Sequence, residues 1–257
     1  MLVYTNEYDK NVFTIVKQLY IDRCQMFNSN NNNNGINSNI GIDDGAILFI
    51  MKNMKNSNSL GFDKLSTNMI KNAINVLSHY ITKLINMILA KNIIPNGFNH
   101  CIIVPIKKNK NIKNFDCDNF RPLSVSNVFA QILEAVILKK TPNLDKINNN
   151  QFGFRNKLST VHPLFIVNEV GKRFIKEGSP LYLEKAFDHL WRDGLLFKLK
   201  DKMDDMLWYI LLNYYNNSCG YLKLNNIIYY NKILLINQGV KQGGVYHQPY
   251  LTTILMI

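Results

Sequence analysis

Phosphate is the chemistry that the side chains suggest first. Lys107, Lys108, Lys110 and Lys113 crowd one short turn, and Arg121 follows shortly after it. An arginine suits phosphate because its guanidinium forks onto two oxygens at once, whereas lysine brings a point charge. Such a cluster can also follow a nucleic-acid backbone through salt-sensitive contacts that carry no sequence information. The plainer alternative is a solvated basic hairpin. Phosphoryl transfer would further need converging carboxylates, because Mg²⁺ demands hard oxygen ligands. Asp188 is one carboxylate to consider, and Met203-Asp204-Asp205 holds a pair. The pair lies in a helical stretch with Leu199, Met206, Leu207 and Ile210, which makes it a surface-helix feature.

The elements that must position these residues follow from spacing. Residues 12–26 can form a short helix with Val16, Leu19 and Tyr20 on one side. The asparagine run at 30–34 cannot bury apolar surface and reads as a flexible linker. After Gly61-Phe62-Asp63, either Ser66 or Thr67 can cap a helix. Ile70, Ala73, Ile74, Leu77, Ile81, Leu84, Ile85 and Ile88 then recur at helical spacing and predict a core stripe that Pro95 and Gly97 end. Strands are expected over 100–104 and 116–124, flanking the basic turn at 107–113. A helix over 127–139 would turn Ile132, Leu133, Val136 and Ile137 inward. Ser159 or Thr160 would cap a helix to about Lys176, and further helices reach about Tyr215. Residues 220–224 and 227–236 read as a hairpin through Asn225-Asn226, since Asn tolerates positive φ. Helices with antiparallel strands predict an α+β fold.

The chain has 257 residues, 47% of them hydrophobic, and a net charge of +12. That length allows one large domain or two small ones, and the charge favours a polyanionic partner, nucleic acid before an anionic membrane surface. The four cysteines are scattered without a CxxC pair, and the five histidines do not sit at zinc spacing. Reduced thiols, no structural metal and an intracellular location, cytoplasm or nucleus, are therefore expected. The N-terminus is polar, without a signal peptide, and no apolar run is long enough for a membrane span, so no membrane partner is expected.

Five stretches in order resemble the reverse transcriptase domain of non-LTR (LINE-type) retrotransposons. Ser59-Leu60-Gly61-Phe62-Asp63 is similar to the family's Gly-x-Asp motif. Ile103 to Lys108 with Phe120-Arg121-Pro122-Leu123-Ser124 resembles the fingers segment. Gln151-Phe152-Gly153-Phe154-Arg155 with Ser159-Thr160 follows. Leu183-Glu184-Lys185-Ala186-Phe187-Asp188 resembles motif A, and Gln238 to Val245 resembles motif B. The resemblance covers about 55–250. It implies a right-hand polymerase holding fingers and a partial palm, without the catalytic hairpin and thumb. The expected division is an N-terminal segment with its Asn-rich linker at 1–54, a fingers-like region at 55–177 and a partial palm at 178–257.

The resemblance also implies RNA-directed DNA polymerase chemistry: attack of a primer 3′-hydroxyl on a dNTP, assisted by Mg²⁺, with an RNA template and DNA primer as partners. Lys108 and Arg121 match the residues holding the triphosphate, with Lys107 as the register alternative to Lys108. Phe187 matches the bulky residue that excludes a ribose 2′-hydroxyl. Gln242 and Gly243 match the loop under the nucleotide, although Tyr246-His247-Gln248-Pro249 departs from the family's continuation. Lys107, Lys110 and Lys113 would contact the nucleic-acid backbone. The family's metal Asp lies six residues before the second Asp of motif A, and that count leads from Asp188 to Tyr182. Only Leu181, Tyr182 and Leu183 stand between Pro180 and the rest of motif A, which points to an internal deletion. Asp188 is then the remaining catalytic candidate, though not the family's main metal ligand, and no residue is assigned as a metal ligand. Motif C, the family's aromatic-x-Asp-Asp hairpin, does not follow motif B in these residues. The expectation is a truncated, inactive reverse transcriptase fragment; the alternatives are a non-catalytic RNA-binding remnant and an unselected transposon relic. Missing palm neighbours would leave an unpaired strand edge with exposed apolar surface.

Overall fold

The computed structural model describes residues 12, 14–22, 25, 41–108, 116, 119–141, 161–178, 192–216 and 218–236. The helices among them are α1 (Asp44–Asn53), α2 (Thr67–Asn72), α3 (Ile74–Lys91), α4 (Val128–Lys140), α5 (Val161–Lys176), α6 (Arg192–Leu199) and α7 (Asp205–Asn216). The strands are β1 (His100–Lys107), β2 (Phe120–Ser126), β3 (Cys219–Leu224) and β4 (Ile227–Leu235). The fold is α+β, as expected.

Local chemistry sets several boundaries. Ser66, rather than Thr67, caps α2, its Oγ accepting from Met69 N at 3.3 Å. Asp43 does the same for α1, accepting from Ala46 N at 2.7 Å. Helix α3 ends at Asn92, which takes the left-handed conformation that Asn tolerates (φ 54°), before Pro95 and Gly97. The predicted stripe from Ile70 is two helices rather than one. Ala73 is the break, with non-helical ψ of 18°, and it is exposed rather than core. Ile70, Ile81, Ile85 and Ile88 are buried as expected, and Ile74, Leu77 and Leu84 pack against the core. On α4, Ile132, Leu133, Val136 and Ile137 all face inward. Val16 is buried, with Leu19 and Tyr20 packed beside it. The second strand begins later than expected, at Phe120, and runs to Ser126.

The sheet order is β2-β1-β3-β4. Strands β1 and β2 pair antiparallel, as do β3 and β4, but β1 and β3 run parallel, His100 opposite Cys219 and Ile103 opposite Leu222. The sheet is therefore mixed, not antiparallel throughout. Its strands come from both sides of residue 178. The parallel seam makes the two hairpins point the same way. Burial follows: Cys101, Ile102, Cys219, Gly220 and Tyr221 are buried at the base, while Ile106, Lys107, Arg121 and Leu224 are exposed toward the tips. The Asn225-Asn226 turn closes the second hairpin with φ values of 47° and 65°, as its sequence predicts.

A buried polar group ties helices together. Tyr214 on α7 donates to Glu134 Oε1 on α4 at 2.6 Å. Arg192, at the start of α6, donates through Nη1 to Tyr215 O at 3.0 Å and also to Ile236 O, just past β4. Its guanidinium lies 4.9 Å from the Tyr215 ring centroid. Burial pushes both tyrosine hydroxyls well above their ordinary pKa, and the Glu134 carboxylate adds to the effect.

Candidate nucleic-acid interface

The β1–β2 hairpin is built for projection. It pairs without interruption from Cys101 opposite Ser126 to Lys107 opposite Phe120. Lys108 N then donates to Asn119 O at 2.9 Å, so the ladder continues one step beyond the strand. Side chains alternate faces along a strand, and directly opposed residues share a face. Arg121, opposite Ile106, therefore lies on the face that Lys108 would take, and the two are diagonal neighbours across the hairpin. Lys107 turns to the other face with Phe120, Pro105 and Pro122. Of the two register alternatives, Lys108 is the one that shares a face with Arg121.

Lys107's face borders an open groove of about 1020 Å³ running between the two hairpins. Ile103, Pro105, Phe120, Pro122, Leu222 and Leu224 floor it, and Lys223 and the Asn225-Asn226 turn border it. Gly220 lies at the base of this face. A Cβ there would meet Ile103 Cδ1 at 2.5 Å, so glycine allows Ile103 to cross the parallel seam.

The opposite face is closed by the Gly61-Phe62-Asp63 turn. Gly61 fits against helix α4's cap: an added Cβ would lie 2.9 Å from Asn127 Cα. Asn127 in turn accepts from Ala130 N and donates to Gly97 O, each at 2.6 Å. Asp63 Oδ1 accepts from Leu65 N at 3.1 Å, and burial raises its carboxyl pKa. The contacts of Asp63 are those of a turn. Phe62 stacks on Tyr221 at 4.8 Å between centroids and meets His100 edge-on at 4.9 Å. Tyr230 of β4 completes the group, 5.6 Å from Tyr221 and 6.0 Å from Phe62. Sequence reasoning missed this cluster because Phe62 and His100 lie more than 100 residues from Tyr221 and Tyr230. Only the hairpin prediction, which pairs 220–224 with 227–236, placed Tyr221 near Tyr230.

Met203-Asp204-Asp205 is no metal pair. The pair falls at the junction of two helices rather than inside one: α6 ends at Leu199, and Asp204 caps α7, Oδ1 accepting from Met206 N at 2.9 Å. Both carboxylates are exposed. Among the described residues, no group of three or more His, Cys, Asp or Glu side chains could hold a metal ion. Cys101 and Cys219 are buried, Cys101 Sγ donating to Cys219 O at 3.5 Å. No helix among the described residues is long and apolar enough to cross a membrane. Lys110, Lys113, Tyr182, Phe187, Asp188, Gln242 and Gly243 lie outside the described residues.

No known family profile matches the chain. Individual curated proteins do. The RNA-directed DNA polymerases from mobile element jockey of Drosophila melanogaster and Drosophila funebris are each 25% identical over 175 residues, 65% of this chain. A probable RNA-directed DNA polymerase from transposon BS of Drosophila melanogaster is 23% identical over 178 residues. The chain is related to the reverse transcriptases of non-LTR mobile elements. It spans about 19% of the length of these relatives.

Proposed function

We propose that this chain is a reverse-transcriptase-derived domain that grips nucleic acid without transferring nucleotides. The grip is assigned to the β1–β2 hairpin. Lys108 and Arg121 are diagonal neighbours near its tip, Lys107 borders the groove behind them, and Lys110 and Lys113 belong to the same turn in sequence. An exposed arginine beside a lysine suits phosphate oxygens by geometry and charge. The net charge of +12 supports a polyanionic ligand. The names of the relatives make an RNA template paired with a DNA primer the partner to test first.

Loss of transfer rests on one residue, Tyr182, in the position of motif A's metal ligand. A phenol has an ordinary pKa near 10 and is protonated at neutral pH. Mg²⁺ takes carboxylate and other hard oxygen ligands, and two-metal transfer needs them to converge. With a phenol in place of the carboxylate, motif A's donor set does not fit that requirement. Asp188 is the surviving motif A carboxylate. Phe187, Gln242 and Gly243 are the counterparts of the nucleotide pocket.

Fluorescence anisotropy with a labelled RNA–DNA hybrid tests the grip. Binding should weaken steeply with salt. Lys108→Ala and Arg121→Ala should each reduce the log–log salt slope by about 0.7–0.9, the contribution of one phosphate contact. No binding at low salt, or a double variant that binds like the parent, would overturn the assignment.

A further inference from the structure

We propose that the aromatic cluster ending in Tyr230 is a stacking platform for the bases of a single-stranded nucleic acid. The proposal rests on the nucleic-acid reading above but uses none of the residues assigned to the grip. Its inner members are fixed. Tyr221 is 6% exposed and Phe62 lies over it, their planes within 14°. Tyr230 rests against both, tilted 52° to Tyr221, yet stays 47% exposed. A ring placed only to fill a core would be covered. This one is held by its neighbours and still offers surface to solvent.

The charges around the cluster choose the ligand. Lys64 and Lys232 lie two residues along the chain from Phe62 and Tyr230, and both are exposed. A half-exposed aromatic ring with exposed lysines close by in sequence suits a planar group that carries an anionic backbone. Unpaired nucleotides have both, and every base has a π-face, so the contact is tolerant of sequence. Paired bases cannot present their faces, which limits the platform to single strands.

The test uses the intact 257-residue chain. Anisotropy compares a labelled oligothymidylate with an abasic oligonucleotide of equal length and charge. The intact chain should bind the oligothymidylate about 5- to 150-fold more tightly, the range for stacking one base on an aromatic side chain. Tyr230→Ala should remove that preference and leave abasic binding unchanged, while Tyr230→Phe should keep it. Equal binding of both oligonucleotides by the intact chain overturns the platform and leaves the phosphate grip standing, a result that needs no variant to fold. Binding of neither at low salt also overturns the platform, and the RNA–DNA hybrid measured beside them decides the grip separately.

Discussion

Replacing Tyr214 by Phe removes one hydroxyl and nothing else from the centre of the helical layer. That hydroxyl donates to Glu134 at 2.6 Å, and both residues are buried. A hydrogen bond to a charged group contributes about 1.5–3 kcal/mol, and the variant leaves a buried carboxylate one donor short. Urea unfolding at neutral pH, followed by the fluorescence of buried Trp208, should show a loss of that size. The same variant carries a pH signature. Burial and Glu134 raise the Tyr214 pKa well above 10.0 in the folded chain. In the unfolded chain the phenol loses its proton near pH 10, so the unfolded state binds fewer protons above that point. Stability from a raised pKa is present below pH 10 and is lost as pH rises. Each such tyrosine costs about 1.4 kcal/mol per pH unit there. Tyr215, also raised, contributes a second such slope, and the variant retains it. The gap between parent and variant should therefore narrow by about 1 kcal/mol between pH 10 and pH 11, where the unfolded phenol passes from half to nearly full ionisation. An unchanged urea midpoint at neutral pH, or a gap constant to pH 11, would refute the Tyr214–Glu134 argument.

Three further outcomes are expected. Gly61→Ala should lower the melting temperature by an amount equivalent to about 1–3 kcal/mol, because the new Cβ meets Asn127 Cα at 2.9 Å and backbone must move. Arg192→Met should cost about 1–3 kcal/mol for the Ile236 carbonyl left without its donor, while the Tyr215 carbonyl keeps its bond from Ser218 N at 3.2 Å. Hydrogen exchange should then speed up at the Ile236 amide, which donates to Ser218 O. Leu235→Lys, on a strand that pairs with β3 alone among the described residues and at a residue 75% exposed, should reduce self-association in light scattering without lowering stability, since charged edges resist strand addition.

What the sequence made legible was local. The Ser66 cap, the Asn225-Asn226 turn and the inward stripe of α4 each depend on residues a few positions apart, and each appears where the pattern puts it. The errors also have local causes that periodicity cannot register. Ala73 fits a helical stripe by type, yet its backbone leaves the helix. Asp204 sits within an apolar periodicity but accepts a backbone N–H as a cap, which aspartate does well. Long-range pairing left no trace at all. The parallel seam between β1 and β3 sets Cys101 opposite Gly220, and neither strand's pattern names its neighbour. Among the described residues β4 pairs with β3 alone and exposes Ile227, Ile233, Leu234 and Leu235. At the candidate site the cations were legible through motif resemblance, while the choice of Lys108 as Arg121's neighbour needed the hairpin register.

The central claim is a grip without transfer, and primer extension tests it most directly. The intact chain would be given a poly(rA)–oligo(dT) hybrid, dTTP and Mg²⁺, with hybrid binding measured in the same buffer. The account predicts a salt-sensitive complex and no incorporated nucleotide. Template-dependent incorporation would contradict it, because carboxylates such as Asp188 would then be serving the metal ions despite Tyr182.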